Sequence, residues 1–228
     1  MEMKSIFLAS VLVAGIASLA SAQIVAWDVT GHGSPPDLTL AASSSDPNLA
    51  SVPSLGRVGI GGTAAVNSFN STNWNITATL ATNNDYITFS VAAAAGYQLN
   101  MTSLDYAMNG SNTAPGTDQW GFSTDGGATW TMETPFNLHN PAVSALSNWD
   151  FADVSASSVE FRFWAYGNLS IVNGTAAVTG TTRIQNIAGN DLILNGTVTA
   201  IPEPSTLCLI GFGLAGMLAF SRRRFSRS

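Results

Sequence analysis

Apolar and polar residues alternate with a period of two through much of the middle of this chain. Phe161, Phe163 and Ala165 alternate with Arg162, Trp164 and Tyr166, which places the first set on one face of a strand, toward a core, and the second on the other. Residues 24–30 open with β-branched and aromatic side chains, and Gly31-His32-Gly33-Ser34-Pro35-Pro36 stops them, so the first strand is predicted there. Further strands are predicted at 74–80, 86–92, 101–108, 119–123, 129–133, 159–166, 181–187 and 191–199. Residues 43–53 read as a Ser/Pro-rich loop. The alanines at 92–95 favour helix but are too few to nucleate one before Gly96, so they read as a strand end and loop. No period of 20 to 50 residues recurs, which argues against a solenoid or propeller. Short strands separated by Gly/Asn/Ser turns predict an all-β fold, an antiparallel β-sandwich of jelly-roll type.

The two ends follow a different pattern. Lys4, the apolar stretch from Ile6 to Leu19 and the small residues Ala20-Ser21-Ala22 have the order of a secretory signal peptide cleaved before Gln23. At the other end, Pro202-Glu203-Pro204 cannot be absorbed by helix or sheet, because proline lacks an N–H and restricts its predecessor. Ser205 and Thr206 follow, then an uncharged apolar run to Phe220, then Arg222, Arg223 and Arg224. About fifteen residues span only about 22 Å as a helix, less than the roughly 30 Å of a bilayer core. Snorkelling arginines and local thinning absorb the difference, so a single membrane helix is expected, its basic end cytoplasmic. The expected division is signal peptide 1–22, extracellular β-sandwich domain 23–200 and C-terminal signal 201–228.

This tripartite end closely resembles the PEP-CTERM sorting signal of Gram-negative, exopolysaccharide-producing bacteria: Pro202-Glu203-Pro204, then Ser205-Thr206, a Leu/Gly/Ala helix from Leu207 to Phe220, and the arginines 222 to 224. The resemblance covers about the last 28 residues. It implies that a membrane-embedded exosortase recognises and cleaves the tail, after export through the Sec translocon and removal of the signal peptide by signal peptidase. The chain would then sit transiently in the inner membrane by its C-terminal helix before reaching the cell surface or extracellular matrix. The body also resembles a recurrent PEP-CTERM body type, with a tryptophan-bearing first strand, a central Ser-Thr-Asp-Gly hairpin and the strand Leu194 to Val198 just before the motif. Gly211-x-Gly213-x-x-Gly216 matches the dinucleotide fingerprint only in letters, because no βαβ context surrounds it; small residues there let membrane helices approach closely. Cys208, the only cysteine, lies in the same run, so the mature body relies on packing rather than disulfides.

Charge narrows the partners. Between the ends, Arg57, Arg162 and Arg183 are the only strong bases, against the fourteen acidic residues less Glu2 and Glu203. An acidic body argues against nucleic acid and anionic lipid. Its roughly 180 residues suffice for one domain with a real core.

The body offers His32 and His139 but no cysteine, no nucleophile elbow and no metal-ligand spacing. Asp118, Asp125, Glu133, Asp150 and Asp153 could serve a glycosidase, which needs two carboxylates, yet nothing in the sequence pairs them. No catalytic residue, metal ligand or cofactor is assigned; a structural Ca²⁺ has no loop pattern to hold it. Ser123-Thr124-Asp125-Gly126-Gly127-Ala128-Thr129-Trp130 resembles the Asp-box of sialidases and other secreted β-proteins, and reads as a hairpin with positive φ at the glycines. Trp120, Trp130, Trp164 and Tyr166 are the candidate ligand-binding residues, since sugar rings stack on exposed aromatics. The expected function is a structural or adhesive role at the surface or in the extracellular matrix. A carbohydrate (exopolysaccharide)-binding module is the alternative, and a secreted glycoside hydrolase the third reading.

Overall fold

Backbone pairing in this protein is antiparallel throughout the described residues. The computed structural model describes residues 22–77, 79–80, 84–138 and 143–202. Their strands are β1 (Gln23–Trp27), β2 (Leu40–Ala41), β3 (Ser44–Ser45), β4 (Ser54–Val58), β5 (Gly61–Gly62), β6 (Ser68–Thr72), β7 (Tyr86–Ala92) and β8 (Tyr97–Tyr106). There follow β9 (Met108–Gly110), β10 (Pro115–Ser123), β11 (Thr131–Met132), β12 (Ser147–Ala156), β13 (Ser158–Ser170), β14 (Thr182–Gln185) and β15 (Leu192–Ala200). They form a five-stranded sheet, β12-β8-β15-β1-β3, a six-stranded sheet, β11-β10-β13-β7-β4-β2, and a smaller one, β5-β6-β14-β9. The expected all-β, antiparallel sandwich is what the body adopts. The signal peptide up to Ser21 and the membrane helix lie outside the described residues.

Aromatic side chains join the two larger sheets. Trp27 on β1 meets Phe89 on β7 with ring centroids 4.7 Å apart, Tyr106 on β8 meets Trp120 on β10 at 6.0 Å, and Trp149 on β12 meets Phe122 on β10 at 5.5 Å. Phe89 also stacks on Phe161 of β13 at 4.9 Å. Phe69, Met108 and Ile184 carry the same apolar core into the third sheet. Trp27 Nε1 donates to the Leu40 carbonyl oxygen at 3.1 Å, so its indole packs without an orphaned donor.

Residues 86–92 form strand over the predicted range, and Phe161, Phe163 and Ala165 are the buried face of β13. Several departures from the expected strands have local causes. Residues 74–77 are not strand: Asn73 takes a left-handed φ of 68° and ends β6, and Trp74 drops into the core. Residues 101–108 divide between two sheets: the Ala107 N–H bonds the Asp191 carbonyl oxygen at 2.7 Å, and the chain passes from β8 to β9. β12 was not predicted, because Ser147 to Ala156 is rich in Asp, Asn and Ser, which strands disfavour. It is tolerated as an edge strand, paired only with β8 and mostly exposed. Within 43–53, the pair Ser44–Ser45 joins β1 as β3.

Phe89 touches Trp27, Trp120 and Phe161 at once. Replacing it by alanine should cost about 3–5 kcal/mol of unfolding free energy by equilibrium denaturation; a loss below about 1 kcal/mol would mean the two sheets do not depend on this junction.

Candidate functional site

Strand alternation sends the four candidate aromatics to different places. Trp120 is 0% exposed, packed among Phe89, Tyr106 and Phe163. That corrects its assignment as a ligand contact: its position on β10 faces the opposing sheet. Trp164 and Tyr166 lie on the other face of β13, with Arg162. Trp164 is nonetheless only 5% exposed, because Trp130 stands edge-on to it at 5.3 Å and Tyr86 covers it at 6.0 Å. Gly121 leaves room beneath: a Cβ there would lie 3.0 Å from Trp164 Cζ3 and 2.6 Å from Met132 Sδ. The Arg162 guanidinium lies 4.2 Å from the Tyr86 ring centre and 4.5 Å from that of Trp130, and its Nε donates to Glu160 Oε1 at 2.6 Å. Tyr166 donates its hydroxyl to Gln119 Oε1 at 3.0 Å. The fold thus gathers Trp130, Trp164 and Tyr166 on one sheet face, with Trp130 packed edge-on to Trp164 and Tyr166 bonded to Gln119.

The Asp-box hairpin supplies Trp130. Asp125 Oδ1 accepts the Ser123 hydroxyl at 2.7 Å and the Thr129 N–H at 2.9 Å, while Oδ2 accepts the Thr129 hydroxyl at 2.5 Å. These bonds, the Thr129 hydroxyl first, hold the Asp125 carboxyl down at about 2. Gly126 and Gly127 have φ of 73° and 90°, a left-handed region that glycine enters without steric cost. Trp130 Nε1 donates to the Gly127 carbonyl oxygen at 3.2 Å, which closes the turn onto the sheet. Asp125 is therefore occupied in the turn.

A second region emerges only in three dimensions. The segment after β11 runs back along β10: the Glu133 N–H bonds the Trp120 carbonyl oxygen, Asp118 and Phe136 exchange backbone bonds, and Asp118 Oδ2 accepts the Leu138 N–H at 3.1 Å. Between this segment and the start of β12 lies a cleft of about 540 Å³, lined among others by Tyr106, Glu133, Phe136, Asn137, Asn148 and Trp149. It adjoins a second cleft of about 590 Å³ that shares Tyr106, Phe136, Asn137 and Ser147. Tyr106 donates its hydroxyl to Glu133 Oε1 at 2.8 Å. Burial pushes Glu133 up to about 7, against that hydrogen bond, and pushes Tyr106 up as well. Asp118, 0% exposed, is also raised well above its ordinary value by burial. Glu133 Oε2 and Asp118 Oδ1 are buried with no hydrogen-bond partner among the described residues, which favours the protonated acids.

Of the five carboxylates considered from sequence, the fold brings Asp118 and Glu133 close to Tyr106 and puts Asp150 on the cleft wall, while Asp125 is tied into its hairpin and Asp153 is exposed. Tyr106, Phe136, Asn137 and Asn148 were not legible as site residues; they come from three separate segments and carry no shared motif. Amides, a carboxylate and aromatic faces around one cleft can hydrogen-bond and pack against a polyhydroxylated ligand. His32 Nδ1 sits 3.4 Å from Asp37 Oδ1 in the first loop, and His139 lies outside the described residues. Among those residues no group of three or more His, Cys, Asp or Glu side chains gathers to hold a metal, and no helix is long and apolar enough to cross a membrane.

The body and the C-terminus together define a class: an all-β domain carrying a sorting signal. That signal is the PEP-CTERM protein-sorting motif, matched over residues 200–224, so the chain carries a tag for exosortase sorting. Ile201 and Pro202 are exposed beyond β15; Glu203, Pro204, Ser205, Thr206 and Arg222 to Arg224 lie outside the described residues. Comparison with curated proteins gives no match. Among solved structures, CBM32-3 from a family 31 glycoside hydrolase of Clostridium perfringens is similar at 11% identity and a TM-score of 0.31, over 70% of this chain and 92% of that chain. At that score the likeness fixes neither strand correspondence nor ligand.

Glu133 binds its proton more tightly folded than unfolded. Its contribution to stability is therefore fully present below pH 4.5 and is lost as pH rises through about 7; Asp118 acts in the same direction. Denaturation midpoints measured at pH 5 and pH 8 should fall with rising pH, and Glu133→Gln, which mimics the protonated acid, should shrink that difference. An equal pH dependence in the variant would remove Glu133 as its source.

Proposed function

We propose that this is an exosortase-sorted protein of the cell surface or extracellular matrix, with a structural or adhesive role and no catalysis of its own. The observation that carries this reading is the position of the sorting motif relative to the fold. β15 is paired with β8 through Ala200 opposite Tyr97, and the Ile201 N–H bonds the Gly96 carbonyl oxygen at 2.8 Å. The chain then leaves the sheet at Pro202, at the start of Pro-Glu-Pro. Cleavage near Pro202 would remove no strand and leave the sandwich closed, which suits a protein handed from membrane to surface as a finished domain. Export through the Sec translocon, removal of residues 1–22 by signal peptidase and a transient stay in the inner membrane complete the route.

Peptide mass spectrometry on surface and membrane fractions tests it. In a host with its exosortase, peptides beyond about Pro202 should be missing from the surface form; without the enzyme the tail should persist in membranes. A tail retained in both hosts would leave an ordinary anchored protein.

The second reading, a carbohydrate-binding module, is favoured by the cleft at Tyr106, Glu133 and Trp149. Phe136, half-buried on the cleft wall, would contribute an apolar face, and Asn137, Asn148 and Asp150 would bond sugar hydroxyls. Both asparagines are exposed, and Asn148 Nδ2 also donates to Asp105 Oδ1, so Asn137→Ala with Asn148→Ala should weaken binding of a neutral oligosaccharide about ten-fold at a stability cost of no more than about 1 kcal/mol. Undiminished binding by the double variant would locate the ligand elsewhere.

A further inference from the structure

Three arginines serve the body, and two have evident employment. Arg57 donates to the carbonyl oxygens of Asp37 and Asn70 and to the Ser71 hydroxyl, and lies 3.6 Å from the Phe69 ring centre. Arg162 is paired with Glu160. Arg183 differs. It stands in the middle of the small sheet, opposite Asn70 of β6 and Asn109 of β9, half-buried, and no carboxylate lies within ion-pair distance of it among the described residues. Its one hydrogen bond there is from Nε to Gln185 Oε1 at 3.3 Å. Burial lowers its proton affinity with no neighbouring charge to offset the effect.

The pocket beside Arg183 carries no negative charge, although the buried oxygens of Asn70 and Asn109 flank Arg183 across the sheet. Arg183 opens on a pocket of about 340 Å³ whose wall includes Val66, Asn67, Ser68, Gln185 and Asn186, with no acidic residue in it. The amide of Gln185 is oriented by two donors, Asn109 Nδ2 at 2.7 Å and Arg183 Nε, both on Oε1, so Nε2 faces the other way. Asn67 is oriented likewise: Oδ1 accepts the Gly31 N–H at 2.8 Å, which leaves its Nδ2 uncommitted among the described residues. Asn186 spends Nδ2 on the Thr30 hydroxyl at 2.9 Å and keeps Oδ1 as an acceptor. Val66, 71% exposed, adds an apolar surface at the rim.

We infer that this pocket binds the carboxylate of an acidic saccharide, the Arg183 guanidinium and the amides of Gln185 and Asn67 holding the anion while Asn186 Oδ1 accepts a ring hydroxyl and Val66 meets the C–H face. The guanidinium and a carboxylate form charge-assisted hydrogen bonds, and the ligand supplies the counter-charge the fold omits. The net charge of -6 does not prevent this, since at physiological ionic strength exposed charges are screened beyond about 8 Å. The pocket lies on the small sheet and shares no lining residue with the cleft at Glu133. The inference rests on the reading of the body as carbohydrate-facing only for the ligand's class.

The test is a titration of the full chain, held in detergent, with sodium glucuronate, glucose and sodium acetate, followed by ¹⁵N-HSQC. Glucuronate should shift the Arg183, Gln185 and Asn67 side-chain signals saturably, and more tightly than acetate; glucose should not. Arg183→Gln should weaken glucuronate about ten-fold or more. Asn186→Asp, which puts a carboxylate at the rim of the pocket, should do the same and guards against a folding defect in the first variant; an unchanged amide spectrum elsewhere establishes that each variant is folded. Unsaturable shifts, or glucuronate binding that survives both substitutions, would overturn the anion site. Acetate binding as tightly as glucuronate would overturn the saccharide. Loss of neutral-oligosaccharide binding in the variants at Asn137 and Asn148 would leave these results unaffected, so the two sites fail separately.

Discussion

Packing of aromatic rings between two sheets carries this fold. The body has no cysteine, since Cys208 belongs to the tail, and it has few ion pairs among its described residues. What remains is the burial of rings such as Trp27, Phe89, Trp120, Phe161 and Phe163, all below 2% exposure, in tilted, stacked and edge-on contacts. Each such side chain removes a large apolar area from water. The five-stranded sheet uses the same contacts, because β1 and β15, far apart in sequence, pair side by side beneath that core.

That architecture explains why the tail can be separate. The last strand is central in its sheet, between β8 and β1, so the domain is locked before the chain reaches Pro202. Pro-Glu-Pro then begins in an exposed stretch with no remaining ladder to satisfy.

Polar groups are placed with opposite logic in different parts of the molecule. At the hairpin, Asp125 is exposed, saturated with hydrogen bonds and strongly acidic. Along β10, Asp118 and Glu133 are buried, short of partners and weakly acidic. Composition alone treats these carboxylates alike; solvent access separates them.

Local pattern was sufficient for the strands whose two faces differ in polarity, such as 86–92 and 159–166, for the Gly126-Gly127 turn and for the sorting motif, which is a linear signal. It was insufficient for β12, whose Asp- and Asn-rich stretch pairs because β8 offers an edge, and for Trp74, which packs into the core although its neighbours leave the sheet. The candidate aromatics show the same limit. Trp120 and Trp164 look alike in sequence, yet one lies between the sheets and the other beneath Trp130 and Tyr86. The cleft at Tyr106 and the pocket at Arg183 each join segments tens of residues apart. The sequence by itself determined the strand-forming stretches, the acidity of the body and the sorting tail, because these depend on neighbouring residues. Only the tertiary structure decided which aromatics meet solvent and which charges lack a partner, because burial and pairing are properties of distant segments brought together.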